Sequence, residues 1–327
     1  MKKLYAAVFA VLTLSCVFAK ENPNAASYKT HETTDKTAPV VYFTKNISAD
    51  SLVAIYRVLG WNPQGKVGVK ISTGEPPASN YLRAELISKL ITSVNGTIVE
   101  CNTAYGGRRA ANAAHKQVAK DHFPGLPFDL LDENGTMTLQ VKGGSRLKEN
   151  YVGANFKNYG SYIILSHFKG HAMAGFGGAI KNVSIGFGSG TATGKSGKAW
   201  IHSGGKSLTN PWGGEQNAFL EAMAEATKSV SDYMGNGKNI VYISVLNRLS
   251  VDCDCAGNPA EPDMHDIGII ASTDPLAVDQ AGIDLVYSAT DSGSLITRIE
   301  SRNGLHTLDH AEKIGLGKRN YQLVTIE

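Results

Sequence analysis

The chain has 327 residues, 42% of them hydrophobic and 19% charged, which supplies a buried core and excludes a disordered or fibrous protein. Its 32 basic against 29 acidic residues leave a net charge of +3, too little for the concentrated basic stripe of a dedicated nucleic-acid binder. Thirty-five glycines in a weakly charged chain point instead to tight turns and to backbone lying close to a neighbour or a ligand.

Residues 1–19 read as a signal peptide. Lys2 and Lys3 precede an apolar stretch over 4–14, and Val17-Phe18-Ala19 gives the small-residue pattern of a cleavage site before Lys20. An imperfect lipobox at 12–16 keeps a lipid anchor on Cys16 as the alternative. The chain is therefore expected to be exported, periplasmic or secreted. No later stretch reaches the roughly 18 apolar residues of a membrane span. Loss of Lys2 and Lys3 leaves 30 basic against 29 acidic residues. Residues 20–38 are polar without an apolar period and read as a flexible segment, and 39–327 as a single domain.

Within that domain, 40–43 is a short apolar strand. Ser48 caps a helix with Leu52, Ile55, Tyr56 and Leu59 on one face, ended by Gly60. A second strand spans 67–71. A second helix is expected from Ser79, with Leu82, Leu86, Leu90 and Ile91 on one face. Residues 97–101 form a third strand, 108–120 an Ala-rich helix and 128–131 a fourth strand. The continuous apolar run at 162–165 predicts a strand buried on both faces. A glycine-dense stretch over 170–205 follows it. Helical periodicity returns at 215–233, with strands at 240–245 and 266–270. Thr273 or Asp274 caps a helix with Pro275 in its first turn. A helix near 305–314 and a strand at 321–326 close the chain. This alternation predicts an α/β fold, a mostly parallel sheet with helices on both faces, as one unit or a bilobed one.

The sharpest chemical signal is Asp252-Cys253-Asp254-Cys255, directly after a buried strand. In extended chain, side chains at i and i+2 point the same way. Cys253 and Cys255 would then share a face and present two thiolates to a soft metal, with His171 or His265 as a nitrogen ligand. A disulfide between them requires the backbone to turn. Outside the leader the chain holds three cysteines, Cys101 being the third, and the odd count argues against a disulfide framework. Two buried, inert thiols are the blander alternative.

His171 belongs to a segment running through Gly175, Gly177 and Gly178 to Lys181 and Asn182, at the expected carboxyl end of a strand, where open α/β sheets place ligands. The glycines would let backbone amides approach an anion and Lys181 would neutralise it, unless they simply form a packed turn. Gly194-Lys195-Ser196 fails as a phosphate loop, because position 189 is Ser. Glu75, and Asn102 with Arg108, sit in loops after the second and third strands and would line the same crevice. Asp279, His31, His122 and His310 read as surface residues. Catalysis would fall to His171, Lys181 and Glu75, and ligand binding to Gly175, Gly177, Gly178, Asn182, Asn102 and Arg108. The cofactor would be a metal ion or an iron–sulfur type centre, with a small-molecule ligand or a redox partner. A non-catalytic binding protein for a small anion is the competing function.

Several motifs resemble the family labelled domain of unknown function 362, whose members carry the description of iron–sulfur-centre proteins. The matching pieces include Gly74-Glu75-Pro76, Tyr105-Gly106-Gly107-Arg108, His167-Phe168-Lys169-Gly170-His171, the 175–182 glycine segment, Asp252 to Cys255, and Asp274-Pro275 with Asp279-Gln280. Many relatives append a ferredoxin-like segment with C-x₂-C-x₂-C runs. This sequence has none, so the resemblance implies the shared core and not a ferredoxin-type cluster.

Overall fold

A computed structural model describes residues 27–190 and 195–327. The expected signal peptide, the Cys16 anchor and the start of the 20–38 segment lie outside the described residues. Twelve strands are described: β1 (Val40–Thr44), β2 (Val67–Lys70), β3 (Thr97–Glu100), β4 (Phe128–Leu130), β5 (Thr136–Gln140), β6 (Glu149–Gly153), β7 (Ser161–His167), β8 (Lys169–His171), β9 (Gly175–Gly177), β10 (Ile240–Leu246), β11 (Gly268–Ser272) and β12 (Gln322–Thr325). The helices are α1 (Ala49–Val58), α2 (Ala84–Ser93), α3 (Asn112–His122), α4 (Ala179–Phe187), α5 (Gly197–His202), α6 (Gln216–Tyr233), α7 (Pro275–Ser288), α8 (Gly293–Ser301) and α9 (His306–Lys313).

Eight strands form one sheet in the order β12-β1-β11-β10-β7-β2-β3-β4. All neighbours are parallel except β11, which runs antiparallel to both β1 and β10. Every residue of β7 and β10 is buried, as a strand covered on two faces requires. Side-chain alternation divides the core in two. Ile163 and Leu165 of β7 pack with α1 and α2 through Leu52, Ile55, Ile87 and Leu90. Tyr162 and Ile164 face the opposite layer, where α4, α6 and α7 contribute Val183, Phe219 and Ile283. Helices therefore cover both faces, as the alternation predicts.

Ser48 accepts from the Ser51 amide and Asp274 from the amides of Leu276 and Ala277, so both helices start at their expected caps. The second helix does not begin at Ser79 but at Ala84. The residues before it are committed elsewhere: the Ala78 amide donates to the Gly257 carbonyl, and Asn80 Oδ1 accepts from Arg248 Nε at 2.9 Å. The glycine-dense stretch holds regular structure. Its described residues form the β8–β9 hairpin, α4 and α5, with Lys198 and His202 buried. The β5–β6 hairpin and α8 were not foreseen.

The segment expected to be a tether is docked from Tyr28 onward. The Tyr28 ring stacks on Tyr287 at 4.1 Å, its hydroxyl donates to Asp284 at 2.7 Å, and the His31 amide donates to the same carboxylate at 2.6 Å.

From the centre, β2, β3 and β4 wind outward on one side of β7 and β10 lies on the other. The order reverses between β7 and β2, which opens a crevice beyond their carboxyl ends. Asn182 of α4 sits over it: its Nδ2 donates to the carbonyls of Lys70 at 3.2 Å and Leu165 at 3.3 Å.

A candidate cysteine–histidine–lysine site

The segment after β10 turns instead of running extended. The Ala256 amide donates to the Cys253 carbonyl at 2.9 Å, and Cys253 and Cys255 are joined in a disulfide with Cα atoms 5.2 Å apart. This corrects the expectation of two thiolates on one face of an extended chain. The turn is held by the residue between them. Asp254 accepts from Lys169 Nζ at 2.8 Å and pairs with His167 Nδ1 at 2.7 Å, while His167 Nε2 lies 2.6 Å from the Asn247 carbonyl. Against the cost of burial, Lys169 and His167 hold the Asp254 carboxyl well below the usual carboxylate range. The Asp254 carbonyl also accepts from the Glu75 amide at 2.8 Å, so the loops after β2 and β10 are joined.

The β8–β9 hairpin lies against the same loop. Gly170 donates its amide to the Ser250 carbonyl at 2.8 Å, and a Cβ there would come within 2.3 Å of the Val251 carbonyl oxygen. This contact requires glycine. His171, at the end of β8, is buried and accepts at Nδ1 from the amides of Met173 at 3.1 Å and Ala174 at 2.9 Å. In the neutral ring the proton therefore sits on Nε2. Burial, together with Lys181, keeps the His171 pKa well below the usual histidine value.

His171, Cys253 and Cys255 offer three ligand atoms within 4.8 Å of one another. With the sulfurs bonded to each other, neither thiolate is available, and this form does not fit a metal ion or an iron–sulfur centre. A metal-bound imidazole also usually donates its second N–H to an acceptor, whereas His171 Nδ1 faces two donors. Reduction would restore two thiolates. His265 is not in this group: its side chain is 58% exposed and paired with Asp291 Oδ1 at 2.9 Å.

The glycine segment does not leave its amides open. Asp279, expected at the surface, is fully buried and accepts from the Ala179 amide at 2.6 Å and the Ile180 amide at 2.9 Å. The α4 N-terminus thus holds the protein's own carboxylate. A Cβ on Gly178 would approach Asp279 Oδ1 to 2.2 Å, and one on Gly175, at φ +82°, would approach the Ile299 carbonyl oxygen to 2.9 Å. Gly177 pairs with Lys169 in the hairpin. Close packing therefore requires glycine at 175 and 178, while a Cβ on Gly177 would meet only ordinary contacts. Lys181, one turn into α4, has no hydrogen-bond or ion-pair partner among the described residues. Burial and the nearby Lys169 push its pKa down to about 7.

Two adjoining cavities meet at these side chains. The outer, of about 190 Å³, is lined by His171, Lys181, Cys253 and Cys255, with Met173 and Trp212 beside them. The inner, of about 40 Å³, is bordered by Lys70, Arg109, Lys181, Lys198, Glu100 and Cys255. The structure thus brings His171, Lys181 and both cysteines to one space, and Asn182 to the inner wall.

Glu75, Asn102 and Arg108 do not line either cavity. The Glu75 carboxylate accepts from the Arg108 amide at 2.5 Å and Arg109 Nε at 3.0 Å. The Asn102 side chain donates to Asn112 at 2.7 Å. Arg108 itself is exposed. Lys70, Arg109, Lys198 and Trp212 were missed as cavity residues. A lysine closing an otherwise apolar buried strand was the legible signal for Lys70.

Fold and site together define an α/β protein with a cysteine–histidine cavity at the reversal point of its sheet. The chain belongs to the family described as Domain of unknown function (DUF362), whose model matches residues 67–284. That span, from β2 into α7, contains all the cavity residues named above. No curated protein shows a match to the chain. Among solved structures, the lactate racemase apoprotein from Thermoanaerobacterium thermosaccharolyticum is similar with 14% identity and a TM-score of 0.42, over 76% of this chain and 57% of that one. The chain spans little more than half of that protein, and so distant a similarity carries no argument about function.

Proposed function

We propose that the Cys253–Cys255 pair is a reversible dithiol–disulfide centre that exchanges with a small thiol or disulfide entering the outer cavity. The observation that carries this reading is the position of the pair: both residues line the cavity, alongside His171 and Lys181. Cys253 is buried and Cys255 partly exposed, so Cys255 is the sulfur open to attack. An incoming thiolate bonds to Cys255 Sγ, the Cys253–Cys255 bond breaks, and Cys253 departs as the thiolate and takes a proton from water. A second thiol then displaces the first from Cys255 as a disulfide. Two external thiols lose two electrons and two protons, and the pair gains them.

An exported chain fits this chemistry, because a disulfide persists in an oxidising compartment. Counting reactive thiols in the folded protein tests the proposal. In the chain without residues 1–19, which carry Cys16, the count before treatment is zero; after dithiothreitol and its removal it is two, and in Cys253→Ser/Cys255→Ser it stays at zero. A folded protein that yields no reactive thiols after dithiothreitol would contradict it. A second function follows from the clustered sulfurs: once reduced, the pair would offer two thiolates to a soft metal ion. Zinc retained by the reduced protein and lost in the double serine variant would favour it.

A further inference from the structure

The inner cavity collects positive charge that the described residues do not balance. Four cationic side chains, Lys70, Arg109, Lys181 and Lys198, border it with a single carboxylate, Glu100. That carboxylate is already shared. Its Oε1 lies 3.8 Å from Lys70 Nζ and 3.4 Å from Arg109 Nη1, and its Oε2 lies 3.1 Å from His115 Nε2. Arg109 is further engaged by Glu75 at 3.0 Å.

Two lysines are left without a carboxylate among the described residues. Lys198 is only 4% exposed and donates to the Gly188 carbonyl at 2.6 Å. Lys181 Nζ makes no hydrogen bond or ion pair among those residues, and the carboxylate that acts on it, Asp254, is already engaged by Lys169 and His167. A buried ammonium without a counter-charge is costly unless an anion completes it. Cys255 borders both cavities. A ligand whose anionic end sits between Lys181 and Lys198 therefore extends past the disulfide into the outer cavity.

We propose that the inner cavity is an anion subsite, holding the carboxylate or comparable oxyanion of the molecule that exchanges at Cys255. The substrate class is then an anionic low-molecular-weight thiol or its disulfide. The inference rests on the exchange function above and adds to it the group that selects the ligand.

The test compares 3-mercaptopropionate with neutral 2-mercaptoethanol as reductants of the folded protein, with rates expressed per thiolate. Wild type is expected to prefer the anionic thiol about ten-fold, the size of one charge-assisted hydrogen bond. The ratio falls to about one in Lys181→Met and in Lys198→Met, two variants from different helices. In parallel, propionate, which carries the carboxylate without sulfur, is expected to raise the Tm of wild type more than that of either variant. Equal rates for the two thiols and no effect of propionate would overturn the subsite while leaving exchange intact. A propionate shift in a protein that neither thiol reduces would overturn the substrate class together with the exchange function.

Discussion

Asp254 and Lys181 are two buried charges at the same edge of the sheet, and they are treated in opposite ways. Asp254 is met by Lys169 at 2.8 Å and His167 at 2.7 Å, and its task is to fix the turn that carries the cysteines. Lys181 faces a cavity without any partner among the described residues, and burial lowers its pKa to about 7. A closed network of this kind is scaffold; a charge left open beside a disulfide is where a ligand can act. Asp279 belongs with the first kind. It uses both carboxylate oxygens on the amides that seemed, from glycine content alone, to await an anion.

The contrast is easiest to break at Asp254. Asp254→Asn leaves the buried Lys169 without its counter-charge and is expected to cost on the order of 3–5 kcal/mol, read by urea unfolding. A loss below 1 kcal/mol would mean that the network does not hold the turn. Gly178→Ala pushes a methyl group into the Asp279 carboxylate, 2.2 Å from Oδ1, and is expected to cost about 3 kcal/mol. A neutral result in the same measurement would show that the α4 cap is not closed.

Lys181→Met should go the other way. The folded-state pKa is lowered to about 7 while the unfolded lysine keeps its ordinary value near 10.4. The unfolded chain therefore binds more protons between those limits, and wild-type stability rises with pH across that window. The variant is expected to be about 4 kcal/mol more stable than wild type at pH 7, with the advantage shrinking towards pH 10. An advantage that does not change with pH would show that Lys181 is not a buried charge. The smallest effect belongs to Cys253→Ser/Cys255→Ser. Closing a three-residue loop contributes only about 1–2 kcal/mol, so the variant should fold; a loss above about 4 kcal/mol would make the disulfide a structural staple.

Much of the framework was legible because its signals are local. The caps at Ser48 and Asp274, the stripe of α1 and the apolar runs of β7 and β10 each follow from a few adjacent residues. The strand-end position of His171, and the grouping of Lys181 with the cysteines, followed from where open sheets bind ligands. The rest depended on contacts distant in sequence. Nothing near Ser79 says that residues 75–78 will bond to residues 254–257 and delay the helix. Asp279 lies 100 positions from the Ala179 amide it receives, so the glycine segment looked open when it was filled. Arg108 and Arg109 are neighbours in an unremarkable loop. Only the fold places the first in solvent and the second between Glu75 and Glu100. The disulfide was passed over because alternation was extended through a segment that turns.

The central claim, a reversible pair facing a cavity, is tested most directly by redox equilibration of the folded protein. Samples would be held in graded mixtures of reduced and oxidised dithiothreitol, trapped with an alkylating reagent and weighed by mass spectrometry, with circular dichroism followed in parallel. The account predicts one reversible two-electron transition that adds two labels at Cys253 and Cys255, with the spectrum unchanged. Cys101, buried and with its thiol pKa raised by that burial, stays unlabelled until unfolding. Labels that appear only as the circular dichroism signal is lost would contradict it.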